Sequence, residues 1–85
     1  MTQVVVYSKP ACAYCTAAKA LLEKLNIKYD AKQLDVDFTR EELFEIAPTA
    51  RTFPQITING NVIGGYDQLV TYIETTNFNG TGFTL

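Results

Sequence analysis

Residues 4–15 read Val4-Val5-Val6-Tyr7-Ser8-Lys9-Pro10-Ala11-Cys12-Ala13-Tyr14-Cys15. The run of three valines and a tyrosine predicts a buried strand over residues 2–8. Lys9-Pro10-Ala11 breaks it. From Cys12 to Asn26 the period changes: Ala18, Leu21, Leu22 and Leu25 recur at i, i+3, i+4 and i+7, the apolar stripe of a helix. Lys19, Glu23 and Lys24 fall on the other sides. Two cysteines therefore stand where a strand hands over to a helix.

Asn26 suits a left-handed stop to that helix. Residues 27–36 predict a weaker second strand, marked by Tyr29, Leu34 and Val36. Thr39-Arg40-Glu41-Glu42 has the spacing of a capping box, in which threonine and glutamate each satisfy a free backbone N–H of the other's residue. Leu43, Phe44, Ile46 and Ala47 continue that helix, and Pro48 stops it. Gln55–Ile58 and residues 61–63 flank Asn59-Gly60, a dipeptide suited to the two positive φ angles of a tight hairpin. Gly64-Gly65 precedes a third helix over about residues 67–76, with Leu69, Tyr72 and Ile73 on one face.

The order is βαβαββα. Strand, helix, strand implies a right-handed parallel crossover, and the hairpin adds two antiparallel strands. The expected class is α/β, a four-stranded mixed sheet flanked by three helices. Residues 1–76 form one domain in this reading. Residues 77–85 form an irregular tail whose Phe78, Phe83 and Leu85 dock on the body.

Composition excludes several functions. Of 85 residues, 47% are apolar and 19% charged, which is globular rather than disordered. The net charge of −2 lacks the basic excess of a general nucleic-acid binder. No apolar run approaches the roughly 20 residues of a membrane-spanning helix. No basic segment leads into a long apolar one, so neither a signal peptide nor a membrane partner is expected.

Two cysteines and no histidine narrow the chemistry further. Histidine-based acid–base catalysis and histidine-ligated zinc are absent, and two thiolates supply only half of a tetrahedral zinc site. A bridge across three positions closes almost no loop, so the pair is a poor staple. It is a better reagent. The first N–H groups of a helix lack internal partners, and the helix dipole is positive at that end. Lys9 adds a cation upstream. These features pull a cysteine pKa down from about 8.5. Cys15 follows one turn later on the same face. Cys12 is thus the exposed nucleophile and Cys15 the more buried thiol that resolves a mixed disulfide. A C-x-x-C at a strand-to-helix junction of a βαβ unit is a signature of thioredoxin-like redox domains.

Over nearly its whole length the sequence resembles the glutaredoxin family. The residues that carry the resemblance are Lys9-Pro10-Ala11-Cys12-Ala13-Tyr14-Cys15, Ala50-Arg51-Thr52-Phe53-Pro54-Gln55-Ile56 and Ile63-Gly64-Gly65-Tyr66-Asp67. Family members typically read K-x-x-C-P-Y-C, T-V-P-x-I/V and G-G-x-x-D in that order. The resemblance implies a thioredoxin-like fold, cytoplasmic redox work on disulfide-containing or glutathionylated proteins, a monomer, and glutathione as reductant and bound ligand. It also implies a cis peptide at Phe53–Pro54, opposite the reactive cysteine.

On these positions Lys9 and Arg51 face the glycyl carboxylate of glutathione, or are solvated charges. Tyr14 hydrogen-bonds the ligand or covers its thiol, or is a rim aromatic. Phe53, just before Pro54, pairs its backbone with the extended tripeptide, and Thr52 and Pro54 belong to the same binding segment. Gly65 and Tyr66 lead into the third helix, whose free N–H groups at Asp67 and Gln68 receive the γ-glutamyl carboxylate. Asp67 pairs with the γ-glutamyl ammonium, or only caps the helix. Three positions depart from the family pattern: Ala13 replaces proline, Phe53 replaces valine, and Gln68 stands where many members carry aspartate.

The first reading is a dithiol glutathione-disulfide oxidoreductase. A second is a [2Fe–2S] cluster held between two chains by Cys12 and two glutathiones. For this the alanine at 13 speaks: it restores an N–H beside Cys12, and members lacking the proline are the ones that more often hold such a cluster. No other metal is expected. A third is a thioredoxin-like donor reduced by a flavoenzyme; Lys9, Tyr14, the Gly64-Gly65 helix start and the absence of tryptophan favour glutathione over it.

Overall fold

Val4–Ser8 forms the first strand, β1, and its alternation divides the molecule into two cores. Successive side chains of a strand point to opposite faces. Val4 and Val6 pack on one side with Ala18, Leu22, Ile56, Ile58 and Leu69. Val5 and Tyr7 pack on the other with Leu34, Phe38, Leu43, Ala47 and Ala50. Burial on both faces explains the unbroken apolar run that the sequence shows here. The computed structural model describes residues 3–48, 50 and 52–76.

The elements follow in the expected order: α1 (Ala13–Lys24), β2 (Asp30–Gln33), α2 (Arg40–Ile46), β3 (Gln55–Ile58), β4 (Asn61–Gly64) and α3 (Tyr66–Thr76). The sheet order is β2-β1-β3-β4. β1 pairs with β2 in parallel, and the other two pairings are antiparallel. The first core takes its helical side chains from α1 and α3, the second from α2. This is the thioredoxin-like arrangement that the motifs imply. The tail and its three apolar residues lie outside the described residues.

Local chemistry sets the boundaries. α1 ends in a Schellman motif: Asn26 sits at φ 58°, its N–H donates to the Glu23 carbonyl, and the Ile27 N–H donates to the Leu22 carbonyl. Both bonds of the capping box form at α2, Glu42 N–H to Thr39 Oγ1 at 3.2 Å and Thr39 N–H to Glu42 Oε1 at 2.9 Å. At the hairpin Asn59 and Gly60 take φ 53° and 83°. The Asn59 side chain also accepts the Gln3 N–H, tying the start of β1 to this turn.

The second strand is shorter than the sequence predicts. Ile27 belongs to the α1 stop. After Gln33 the chain turns, with Asp35 at φ 63° and the Asp37 carboxylate accepting the Gln33 N–H at 2.8 Å. Val36 lies at the tip of that turn and is 78% exposed, so it marks no strand. Leu34 is buried and its N–H still reaches the Ser8 carbonyl at 2.9 Å, but it lies beyond β2, in an isolated bridge to Phe38.

Candidate active site

The loop leaving β1 passes through Ala11 at φ 56°, a left-handed conformation that a residue with a Cβ rarely adopts. It delivers Cys12 to the N-cap position of α1 in extended conformation. There the Cys12 Sγ accepts the Cys15 N–H at 3.1 Å, and the Cys12 carbonyl accepts the Thr16 N–H at 3.2 Å. The sulfur thus does what a serine or aspartate oxygen does at an ordinary N-cap. The donor observed at the sulfur belongs to Cys15; no hydrogen bond from Ala13 reaches it among the described residues. The Cα atoms of Cys12 and Cys15 are 5.2 Å apart and a disulfide joins the pair. Cys12 is half-buried, and Cys15 is 1% exposed. The division into a reachable and a sheltered sulfur agrees with the sequence reading.

Phe53–Pro54 is cis, as the resemblance implies. Phe53 is half-buried at the end of an aromatic series. Tyr7 meets Phe38 edge-on at 5.1 Å between ring centroids, and Phe38 lies 6.3 Å from Phe53. Two cations share the Phe53 ring: Lys9 Nζ and Arg40 Cζ each lie 5.7 Å from its centroid. Such contacts contribute about 0.5–1 kcal/mol at exposed sites. Sequence reasoning missed Arg40, which there is only the first residue after a helix cap. Its approach to Phe53 depends on the tertiary fold, and no spacing signals it. Arg51 lies outside the described residues.

The start of α3 closes the opposite side. Tyr14, 63% exposed, lies 6.0 Å from Tyr66 between ring centroids, so the first turns of α1 and α3 are neighbours. α3 begins at Tyr66, one residue before the predicted start. The Gly65 carbonyl accepts the Leu69 N–H, and the Gly65 N–H donates to Gln68 Oε1 at 3.0 Å. Gly65 therefore occupies the cap and Gln68 the third helical position, the glutamine half of a capping box. The alternative reading of Asp67 as the helix cap is corrected: Asp67 is the second helical residue, exposed at the rim. A Cβ on Gly65 would meet the Pro54 carbonyl and Gln68 Oε1 at 3.4 Å and Thr52 Oγ1 at 4.0 Å. The fold thus gathers Thr52, Pro54, Gly65 and Gln68, with Tyr14 and Tyr66 in contact beside the disulfide helix. Lys9 and Phe53 form a second group.

A family model, Glutaredoxin, matches residues 4–63. The chain belongs to the glutaredoxin family. Among similar proteins, the mitochondrial glutaredoxin-2 of Homo sapiens is 38% identical over 66 residues, which cover 73% of this chain and 40% of that protein. A glutaredoxin of Ricinus communis is 40% identical over 67 residues, covering 75% of this chain and 66% of that protein. The chain thus spans less than half the length of the mitochondrial relatives that it matches. A buckwheat glutaredoxin–glutathione complex superposes with a TM-score of 0.74 at 30% identity, over 86% of this chain and 69% of that one. Of the three positions set apart in the sequence, Ala13, Phe53 and Gln68, the structure gives two work: Phe53 carries two cations, and Gln68 completes a helix cap.

Proposed function

We propose that the chain is a glutathione-dependent thiol–disulfide oxidoreductase acting on protein disulfides and glutathione mixed disulfides. The observation that carries this is Cys12 Sγ at a helix N-cap, half-exposed, with the Cys15 N–H aimed at it and the sheltered Cys15 sulfur within bonding reach. A donor already pointing at the sulfur stabilises the thiolate more than the neutral thiol. The Cys12 thiolate attacks one sulfur of a disulfide, forms the mixed disulfide and releases the other sulfur as a thiolate, which takes a proton. The Cys15 thiol loses its proton and displaces the bound partner, leaving Cys12–Cys15. Two glutathiones then supply two electrons, becoming glutathione disulfide and restoring the dithiol.

For glutathione itself, Lys9 and Arg40 present charge to a carboxylate beside Phe53. The backbone of Thr52, Phe53 and Pro54 offers an edge to the extended tripeptide. Gly65 and Tyr66 open α3, whose N–H groups at Asp67 and Gln68 have no intrahelical acceptors and suit the second carboxylate. The Asp67 carboxylate suits the ammonium, and Tyr14 the sulfur end. We read the chain as a monomer in this reaction. We place it in the cytoplasm, where the glutathione pool, near about −220 to −260 mV, is able to reduce a glutaredoxin couple near about −200 to −230 mV.

Single-cysteine variants test the assignment. Cys12→Ser is expected to abolish all activity. Cys15→Ser is expected to keep removal of glutathione from a glutathionylated protein while losing reduction of an intramolecular protein disulfide. Equal activities in the two variants would contradict the assignment.

A second reading, a [2Fe–2S] cluster between two chains, draws on the half-exposed sulfur of Cys12 and the exposed Ala13 beside it. Cys12 of each chain would hold the cluster together with two glutathione thiolates. Anaerobic addition of iron, sulfide and glutathione is expected to give a brown dimer that Ala13→Pro suppresses; a colourless monomer would exclude it.

A further inference from the structure

Cys12 opens onto a groove that contains none of Tyr14, Phe53, Pro54 or Gly65–Gln68. Its volume is about 510 Å³, and Lys9, Ala11, Cys12, Ala13, Cys15, Thr16 and Lys19 line it. It therefore lies on another side of the reactive sulfur from the residues given above to glutathione, sharing only Cys12 and Lys9 with them. Three properties of the groove bear on what it can hold. Its lining between the lysines is small: two alanines and a threonine leave room for a peptide backbone. It contains no carboxylate, and no acidic residue occupies the first turn of α1. The positive end of the helix dipole and two ammonium groups therefore act there unopposed, in a chain whose net charge is −2. Finally, Lys19 is half-buried against the helix and has no ion-pair partner among the described residues.

The helix sets the spacing. Lys19 is seven residues after Cys12 and four after Cys15, so all three share one face of α1. At about 1.5 Å per residue, Lys19 stands roughly 10 Å along the axis from Cys12. An extended peptide covers that distance in about three residues at roughly 3.3 Å each.

We propose that this groove docks the extended segment around the target cysteine of a protein disulfide, and that it selects segments carrying Asp or Glu about three residues from that cysteine. The proposal rests on the thiol–disulfide exchange assigned above to Cys12. Lys19 is its specificity-determining residue. Lys9 adds charge at the mouth but also serves the glutathione side, so Lys19 is the clean position to vary.

The test uses the whole chain and two synthetic peptides with one intramolecular disulfide, identical except for Asp or Asn three residues from a cysteine. Activity on each is read as kcat/KM with glutathione as reductant, and a small uncharged disulfide sets the baseline for every variant. A solvent-exposed charge pair corresponds to a preference of about two- to fivefold for the Asp peptide. The expected result is that wild type shows this preference, Lys19→Gln loses it, Lys19→Glu reverses it, and added salt erodes it. A preference untouched by Lys19→Glu overturns the proposal. So does an equal fall on all three substrates, which would mean that Lys19 acts on the cysteine or the fold. A changed KM for glutathione with an unchanged peptide ratio also overturns it and assigns the groove to a second glutathione. Failure of the underlying chemistry is separately visible, because Cys12→Ser would then still reduce the uncharged disulfide.

Discussion

The ammonium of Lys9 and the ring of Phe53 face each other at 5.7 Å, and the ring holds Arg40 at the same distance. A ring at position 53 therefore gathers two cations from distant parts of the chain, one before α1 and one opening α2. Valine has no quadrupole with which to do this. Phe53→Val is expected to free both cations and to raise the KM for glutathione about two- to fivefold, the range of exposed cation–π contacts. Saturation kinetics check it. An unchanged KM would mean that the ring has no bearing on how the two cations receive a carboxylate.

Gln68 and Asp67 divide the start of α3 between them. The Gln68 amide receives the Gly65 N–H, so Gln68→Ala leaves that donor to water and is expected to cost about 1 kcal/mol of stability. Asp67 makes no such contribution to the cap. Asp67→Asn removes only the carboxylate's favourable charge at the helix start, and is expected to lower the melting temperature less than Gln68→Ala while raising the KM for glutathione. Thermal unfolding and saturation kinetics on the same two proteins separate the roles. A larger melting shift for Asp67→Asn than for Gln68→Ala would reverse the assignment.

Gly60 and Gly64 both have positive φ, at 83° and 122°, but differ in their surroundings. A Cβ at Gly60 meets nothing within 4 Å, whereas one at Gly64 falls 2.9 Å from Gln68 Cγ. Gly60→Ala is expected to cost about 1–2 kcal/mol of backbone strain alone. Gly64→Ala adds a collision with the side chain that caps α3, so its loss is expected to be larger. Denaturant titration of the two variants gives the comparison, and equal losses would show that Gln68 yields freely.

Tyr29 donates a hydrogen bond to the Glu23 carboxylate, joining α1 to the approach to β2. Burial first, then this hydrogen bond and the charge of Glu23, push its pKa up to about 12 from 10.0. In the unfolded chain the phenol ionises earlier, so between about pH 10 and 12 the unfolded state binds fewer protons than the folded one. This contribution to stability is complete below about pH 10 and is lost as the pH rises through about 12. Tyr29→Phe is expected to flatten that part of the stability curve, as denaturant midpoints from pH 9 to 12 would show. A parallel curve in the variant would assign the alkaline loss to other groups.

Legibility in the sequence followed the range of the interactions. The capping box at Thr39 and Glu42, the left-handed Asn26 and the Asn59-Gly60 turn are local, with donor and acceptor within a few positions of each other, and all three form as read. The Cys12–Cys15 pair was equally readable, because a helix start and a three-residue spacing are properties of a short segment. Val36 misled because an apolar residue at the tip of a turn looks like one in a strand until the Asp35 and Asp37 hydrogen bonds are known. Arg40 was invisible as a site residue, since only the packing of α2 under the sheet brings it to Phe53. Gln68 looked like a missing aspartate; its side chain turns back to Gly65, an interaction that a helix start placed one residue late conceals.

The Cys15 N–H that points at Cys12 has a bearing on how electrons are stored here. Its acceptor is a sulfur, and a thiolate at the same place would accept the same bond. The first turn of α1 in the disulfide form thus already carries the donor that a thiolate needs, with Ala18 and Leu22 anchoring the helix in the core behind it. When the disulfide opens, the Cys12 sulfur meets a donor that stands in place beforehand, so the helix start is preorganised for the product of the exchange and the core behind it serves as the fixed footing of that donor.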